Sequence, residues 1–171
     1  VLSNPTVSTS KTYTYKMLDA VEFIDYGATK PEVEFNLNTT VTSDAKTGYI
    51  YGLDEGFADI ASYVTVKEGT GTSAFIPTVN GNGTGSKLEI YTITGTLYKT
   101  YTIIIFGDVN GDCKADGMDA VLIGCIANNM GEYDDSIKYA ADVNFDGNVS
   151  DTDSVTVAGY AIGNDVISQI R

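Results

Sequence analysis

The densest chemistry in the sequence lies in "GDVNGDCKADGMDA", Gly107–Ala120, where Asp108, Asn110, Asp112, Asp116 and Asp119 fall within twelve residues. Carboxylates crowded this closely repel one another, and Lys114 is the single basic residue among them. Hard oxygen donors gathered in one short loop suit a hard divalent cation, which takes about six to eight oxygen ligands. The pattern then returns. "DVNGDCKADGMDAVLIGCIA" from Asp108 lies in register with "DVNFDGNVSDTDSVTVAGYA" from Asp142, 34 residues on. An internal repeat of this kind implies a duplicated unit, here a loop and the apolar, helix-length stretch behind it.

Inside each unit the donors follow a twelve-residue calcium loop of the EF-hand type, with ligands at positions 1, 3, 5, 7, 9 and 12. In the first loop these are Asp108, Asn110, Asp112, the backbone carbonyl of Lys114, Asp116 (through water) and Asp119. In the second they are Asp142, Asn144, Asp146, the carbonyl of Asn148, Ser150 and Asp153. Two calcium ions are therefore expected, each neutralising its loop and contributing to folding free energy. The loops depart from the helix–loop–helix pattern in two ways. Position 12 is the shorter Asp, and no long helix enters either loop: "YTIIIFG" is a poor helix, and "DDSIKYAA" gives two turns at most. Position 6, where a sharp turn with positive φ favours Gly, is Cys113 in the first loop and Gly147 in the second. Loop 1 is accordingly expected to bind calcium more weakly. A Cys113–Cys125 bridge is left open by the spacing.

The elements that carry these loops divide near Phe106. Residues 1–106 are rich in Thr, Tyr, Val, Ile and Gly, and residues 107–171 in Asp, Asn and Ala. In the first part "EVEFNL" and "KLEIYTI" alternate with period two. "TVSTSKTYTYKM", "TGYIYGL", "SYVTVKE", "SAFIPTV" and "LYKTYTIIIF" are strands by β-branched and aromatic enrichment. "TGT" (Thr94–Thr96) reads as a hairpin turn and "NGNGTGS" (Asn80–Ser86) as a loop; "DEGFADIASY" admits a short helix. The expected class is α+β: a small antiparallel β-sandwich or roll, with a possible subdivision near residue 46, followed by a small helical module with two calcium loops. The Tyr and Thr content of the β part fits a scaffold better than a carbohydrate platform, since Trp is absent.

The repeated D-x-N-x-D-x₆-D with one apolar helix behind each copy resembles the dockerin module of cellulosomal and related bacterial surface proteins, over residues 107–165. The β part before it is similar in position and texture to the X-type modules that often precede dockerins. The resemblance implies an extracellular or cell-surface setting, calcium dependence, a cohesin module as partner, and a monomer when unbound. It also implies recognition positions: Gly117, Met118, Gly124, Cys125 and Asn129 in the first repeat, and Asp151, Thr152, Ala158, Gly159 and Gly163 in the second. The two sets differ chemically, which favours a single docking orientation. Val121, Ile126, Val155 and Tyr160 are expected in the core. Gly124 and Gly159, poor helix formers, are expected where a helix or the partner comes close. The tail "DVISQIR" is expected to pack back on the protein through Val166, Ile167 and Ile170.

Composition narrows the alternatives. With 10 basic against 23 acidic residues, a net charge of −13, nucleic acid and anionic membranes are poor partners. The sequence has no apolar run long enough to span a bilayer, and "VLSNPTVSTSKTYTY" reads as the interior of a longer protein. Histidine is absent, removing the commonest general base and transition-metal ligand; an enzyme is not expected, because the loop register already accounts for the carboxylates. The alternative function is a calcium-stabilised structural module without a cohesin partner.

Overall fold

The computed structural model describes residues 30–36 and 41–171. Among them the chain forms strands β1 (Val33–Phe35), β2 (Thr42–Asp44), β3 (Tyr49–Tyr51), β4 (Val64–Val66), β5 (Gly71–Ile76), β6 (Lys87–Thr92) and β7 (Leu97–Ile103), then helices α1 (Gly117–Ala127), α2 (Asp135–Ala141) and α3 (Asp151–Ala161). The class is α+β. Five strands make one sheet in the order β2-β3-β7-β6-β5, and β1 pairs with β4 apart from it. All pairings are antiparallel except β3 with β7, which is parallel. β6 shows how sequence becomes sheet: Leu88, Ile90 and Thr92 are buried, while Lys87, Glu89 and Tyr91 between them are half-exposed. The hairpin after it closes at the expected "TGT", with Thr92 N–H donating to the Thr96 carbonyl at 2.9 Å and Gly95 N–H to that of Thr92 at 2.9 Å.

Two local expectations are refined. "DEGFADIASY" forms only a 3₁₀ turn, Ile60–Ser62, which Asp59 caps by accepting from Ala61 N–H at 2.9 Å. β2, "TSD", lacks the apolar alternation that marks a strand, and its pairing rests on its neighbour: the Asp44 carboxylate accepts from Lys46 N–H at 2.7 Å and turns the chain into β3. The expected strand at residues 6–17 and the end of "EVEFNL" at Leu37 lie outside the described residues.

The join between the two parts is the organising feature. Ile103 and Ile105 enter one core, with Ile50, Leu53, Leu88 and Ile90. Ile104 and Phe106 enter the other, with Ala120, Ile123, Ala140 and Val157. All four joining residues are fully buried. Side chains alternating along a strand-like segment reach opposite sides, so "IIIF" is apolar throughout because both its sides are covered. Phe106 stacks edge-on against Tyr51 and Phe145, at centroid distances of 5.8 and 4.8 Å, and Tyr49 meets Tyr139 of α2 at 5.0 Å. The tail returns as expected, but through one apolar side chain. Ile167 is buried in the second core, whereas Val166 and Ile170 are exposed. The Gln169 side chain accepts from Phe106 N–H at 2.8 Å and donates to its carbonyl at 2.9 Å.

Because one segment serves both cores, Phe106→Ala is expected to cost about 3–5 kcal/mol. Urea titration followed by near- and far-UV circular dichroism should show the midpoint falling accordingly.

Candidate metal centres and docking face

Each loop is organised by its last carboxylate. Asp119, at position 12 of loop 1, accepts through Oδ1 from Val109 N–H (2.9 Å) and Asn110 N–H (3.0 Å), and through Oδ2 from Asp116 N–H (3.0 Å). Asp153 repeats this in loop 2, accepting from Val143 (3.1 Å), Asn144 (3.2 Å) and Ser150 (2.9 Å). The short Asp arm thus ties the start of each loop to the start of the helix leaving it. Position 9 is the helix N-cap in both: Asp116 accepts from Met118 N–H at 2.7 Å and Ser150 from Thr152 N–H at 3.3 Å, each completing a capping box with position 12. Positions 3 and 5 turn the loop inward. Asn110 Oδ1 accepts from Asp112 N–H at 2.8 Å, and Asn144 Oδ1 from Asp146 N–H at 2.9 Å. Asp112 and Asp146 then accept from the amides of Lys114 (3.0 Å) and Asn148 (2.8 Å), the residues whose carbonyls fill position 7.

Position 1 is where the loops differ. Asp108 is fully buried and accepts from Gly111 N–H (2.7 Å), Cys113 N–H (3.0 Å) and Thr84 N–H (2.9 Å), the last belonging to the β part. Asp142 accepts from Asp146 N–H (3.1 Å), Gly147 N–H (3.0 Å) and the Arg171 guanidinium (3.0 Å). Burial pushes the Asp108 carboxyl up to about 7 and raises that of Asp119, against the amides that pull both down. Among the described residues no Lys or Arg forms a salt bridge with either group. A carboxylate offers about four lone-pair sites, and Asp108 and Asp119 each use three. The donors are all hard oxygens, and the buried acids Asp108 and Asp119 have amide partners but, among the described residues, no Lys or Arg to neutralise them, which fits a divalent cation. Among the described residues no three acidic or thiol side chains stand together as a ready-made metal cluster. The amide, carbonyl and hydroxyl oxygens of positions 3, 7 and 9 would have to complete the coordination.

The tight turns also differ. Loop 1 has Gly111 at position 4 (φ 82°) and Cys113 at position 6 (φ 73°); loop 2 has Phe145 (φ 62°) and Gly147 (φ 93°). Each loop therefore places one non-glycine residue in the left-handed region, where a side chain is costly. In each case that side chain is an anchor. Cys113 is buried in the β core, with Gly56 N–H donating to its carbonyl at 2.9 Å and lying 3.2 Å from its sulfur. Phe145 packs on Phe106 and lies beneath Arg171, whose guanidinium is 5.4 Å from the ring centre. Cys113 and Cys125 are both free thiols.

The outward face of α1 and α3 carries most of the expected recognition positions. Gly117, Met118, Asn129, Asp151, Thr152, Ala158 and Gly163 are exposed, while Gly124, Cys125 and Gly159 are half-buried. The two glycines prove to be close-approach points within the protein. Gly124 faces Ser154 of α3, and a Cβ on Gly159 would run into Asp165 of the tail. Asn129 and Gly163, both left-handed, end their helices: Met130 N–H donates to the Cys125 carbonyl and Asn164 N–H to that of Gly159, each at 2.8 Å. Ile126 is buried and Tyr160 half-buried, as expected. Val121 and Val155 are not core residues; they are 63% and 68% exposed. α1 and α3 pack through Ala120, Ile123 and Val157, and at about 100° per residue positions 121 and 155 turn to the opposite side. Met118 and Ile162 are exposed as well; of these four side chains only Val121 and Val155 were expected in the core, and Met118 was expected at the recognition face.

A helical pair led by duplicated acidic loops, docked on a β domain, is the class this geometry defines. The family model of the Dockerin type I domain matches residues 106–160, and this part of the chain is a dockerin domain, a calcium-binding type of module. No curated protein matches the chain. Among solved structures, a complex of the third cohesin of ScaC with the ScaB dockerin from Acetivibrio cellulolyticus contains a similar chain. That complex carries an IN to SI mutation in the N-terminal helix and displays a type I interaction. The similarity is 29% identity over 39% of this chain and 93% of that one, with a TM-score of 0.36.

Removing either helix cap, Asp116→Ala or Ser150→Ala, is expected to cost about 1 kcal/mol, read by thermal melts in chelator. In native protein a thiol reagent should modify half-buried Cys125 quickly. Cys113, buried and with its thiol pKa raised by that burial, should react only on unfolding.

Proposed function

We propose that this protein is a non-catalytic docking unit. Its dockerin domain, loaded with two calcium ions, binds a cohesin module and so anchors the parent protein in an extracellular, cellulosome-type complex. The observation that carries the reading is the family match over residues 106–160, joined to two donor loops in register. The residues that would hold the ions are those at positions 1, 3, 5, 7, 9 and 12 of each loop. When bound, the cation neutralises the buried acids and fixes the loop, and with it the helix that the loop caps.

The exposed side chains of Met118, Val121, Val155 and Ile162, on α1, on α3 and just after it, would supply the apolar part of the interface, with the exposed Asp151, Thr152 and Asn128 as its polar part. Aromatic and apolar groups at the centre with polar groups at the rim are typical of such contacts. The two repeats offer unlike chemistry: Met118 stands where the second repeat has Thr152, and Gly117 where it has Asp151. This supports one docking orientation. The β domain, joined through a shared buried segment, holds that face in a fixed direction.

Titration calorimetry of the calcium-loaded protein against a panel of cohesins is expected to give one-to-one binding that chelation abolishes. Val121→Asp and Val155→Asp should each weaken it by about tenfold or more, as buried charge at an interface centre does. Binding to none of the panel, together with a melting temperature that rises on calcium addition, would leave a purely structural role for the loops.

A further inference from the structure

The β domain touches loop 1 in a way it does not need for mere attachment. Thr84 N–H donates to Asp108 Oδ2 at 2.9 Å, reaching the first ligand position itself. Around it, Gly83 N–H donates to the Gly111 carbonyl at 3.2 Å, the Thr78 hydroxyl to the same carbonyl at 2.9 Å, and Asn80 Nδ2 to the Asn110 carbonyl at 2.6 Å. The approach is too close for any side chain at position 83: a Cβ there would collide with Asp108 Oδ2, Cys113 N and Gly111 C. From the other side Gly56 N–H holds the Cys113 carbonyl at 2.9 Å. Thr84 is in turn fixed by its hydroxyl, which donates to the Ile105 carbonyl at 3.1 Å and accepts from Ile105 N–H at 3.0 Å.

Position 1 of loop 2 is held by weaker means, although Phe145 anchors the same loop on Phe106. The third donor to Asp142 is the Arg171 side chain, 27% exposed, and Gly147 and Asn148 of this loop are exposed. Ordering a long side chain costs more conformational entropy than using an amide already fixed by a packed segment. A positive charge beside Asp142 also opposes entry of a cation, whereas the Thr84 amide opposes it far less.

We propose that the Gly83–Thr84 peptide is a positioning element of loop 1, whose turn around Asp108 keeps its shape when the cation is removed, while the turn of loop 2 around Asp142 is held tightly only with the cation. This rests on the reading of both loops as cation sites. It makes the β domain part of one metal centre and gives the two centres an order of formation.

Backbone hydrogen exchange, measured by NMR on the whole chain with calcium and with chelator, tests it. The informative amides are matched: Gly111 and Cys113 donate to Asp108, and Asp146 and Gly147 to Asp142. In chelator, Gly111 and Cys113 should stay protected while Asp146 and Gly147 exchange about tenfold faster or more relative to the loaded protein. Gly83→Ala should speed exchange at Gly111 and Cys113 in chelator by about tenfold. Should that variant fail to fold, Asn80→Ala, which removes one exposed side-chain bond, should still speed them by about two- to tenfold. Equal loss of protection in both loops on chelation, or unchanged Gly111 and Cys113 rates in Asn80→Ala, overturns the inference while the cation reading stands. Chelation that alters neither loop overturns both.

Discussion

A buried carboxylate at the twelfth position of each loop is the constraint from which the rest of the dockerin domain follows. Asp119 and Asp153 are fully buried, and each holds two amides at the start of its loop and one at the start of its helix. Burying an ionised acid is costly unless hydrogen bonds or a counter-charge compensate it. Here the compensation is geometric: the loop has to coil until its own amides point at the acid. That coil in turn directs the helix, whose first turn is capped by the residue at position 9. α1 and α3 are thus aimed by the loops, and their mutual packing through Ala120, Ile123 and Val157 follows from two loops of the same shape.

Such a coil demands left-handed residues at positions 4 and 6, and the two loops meet the demand in opposite ways. Loop 1 puts its side chain at position 6 and loop 2 at position 4. A glycine at each would be the less strained choice. The side chains that occur instead are the ones that fasten their loops, Cys113 to the β core and Phe145 to the aromatic cluster around Phe106. Strain at these positions is therefore offset by burial and ring packing elsewhere. Cys113 read alone in the sequence suggests a defect in loop 1. In its surroundings it is the point where loop 1 enters the neighbouring domain, and a weaker loop 1 no longer follows from it.

The loops were legible in the sequence because their polar side chains are local and their register is duplicated; every loop position could be read by counting. The strands were legible where side chains alternate, as in β6, and not where pairing comes from a neighbour, as in β2. Val121 and Val155 were assigned inward because apolar residues in a helix usually face a core. Composition alone carries no information on which face that is when both faces are apolar, and α1 has hydrophobic residues nearly all round. The contacts of Gly83 and Thr84 with Asp108 were out of reach for another reason. They join residues far apart in the chain through backbone atoms, and "NGNGTGS" reads as an ordinary loop to any rule based on side-chain type.

The shared segment Ile103–Phe106 explains why two parts of such different texture behave as one body. A flexible linker would let the dockerin face point anywhere. Here alternate side chains of a single segment are fully buried in two different cores, so rotating one domain against the other would expose large apolar groups on both sides. At about 25 cal/mol per Å² of apolar surface, uncovering even part of Phe106 and its neighbours outweighs the orientational freedom gained. The tail strengthens this, since Gln169 satisfies both backbone groups of Phe106 at the point where the segment leaves the sheet and its regular partners end. A docking face held in this way loses less orientational entropy on meeting a partner than one on a loose tether. That is a physical reason for the β domain to be joined rigidly to the dockerin domain.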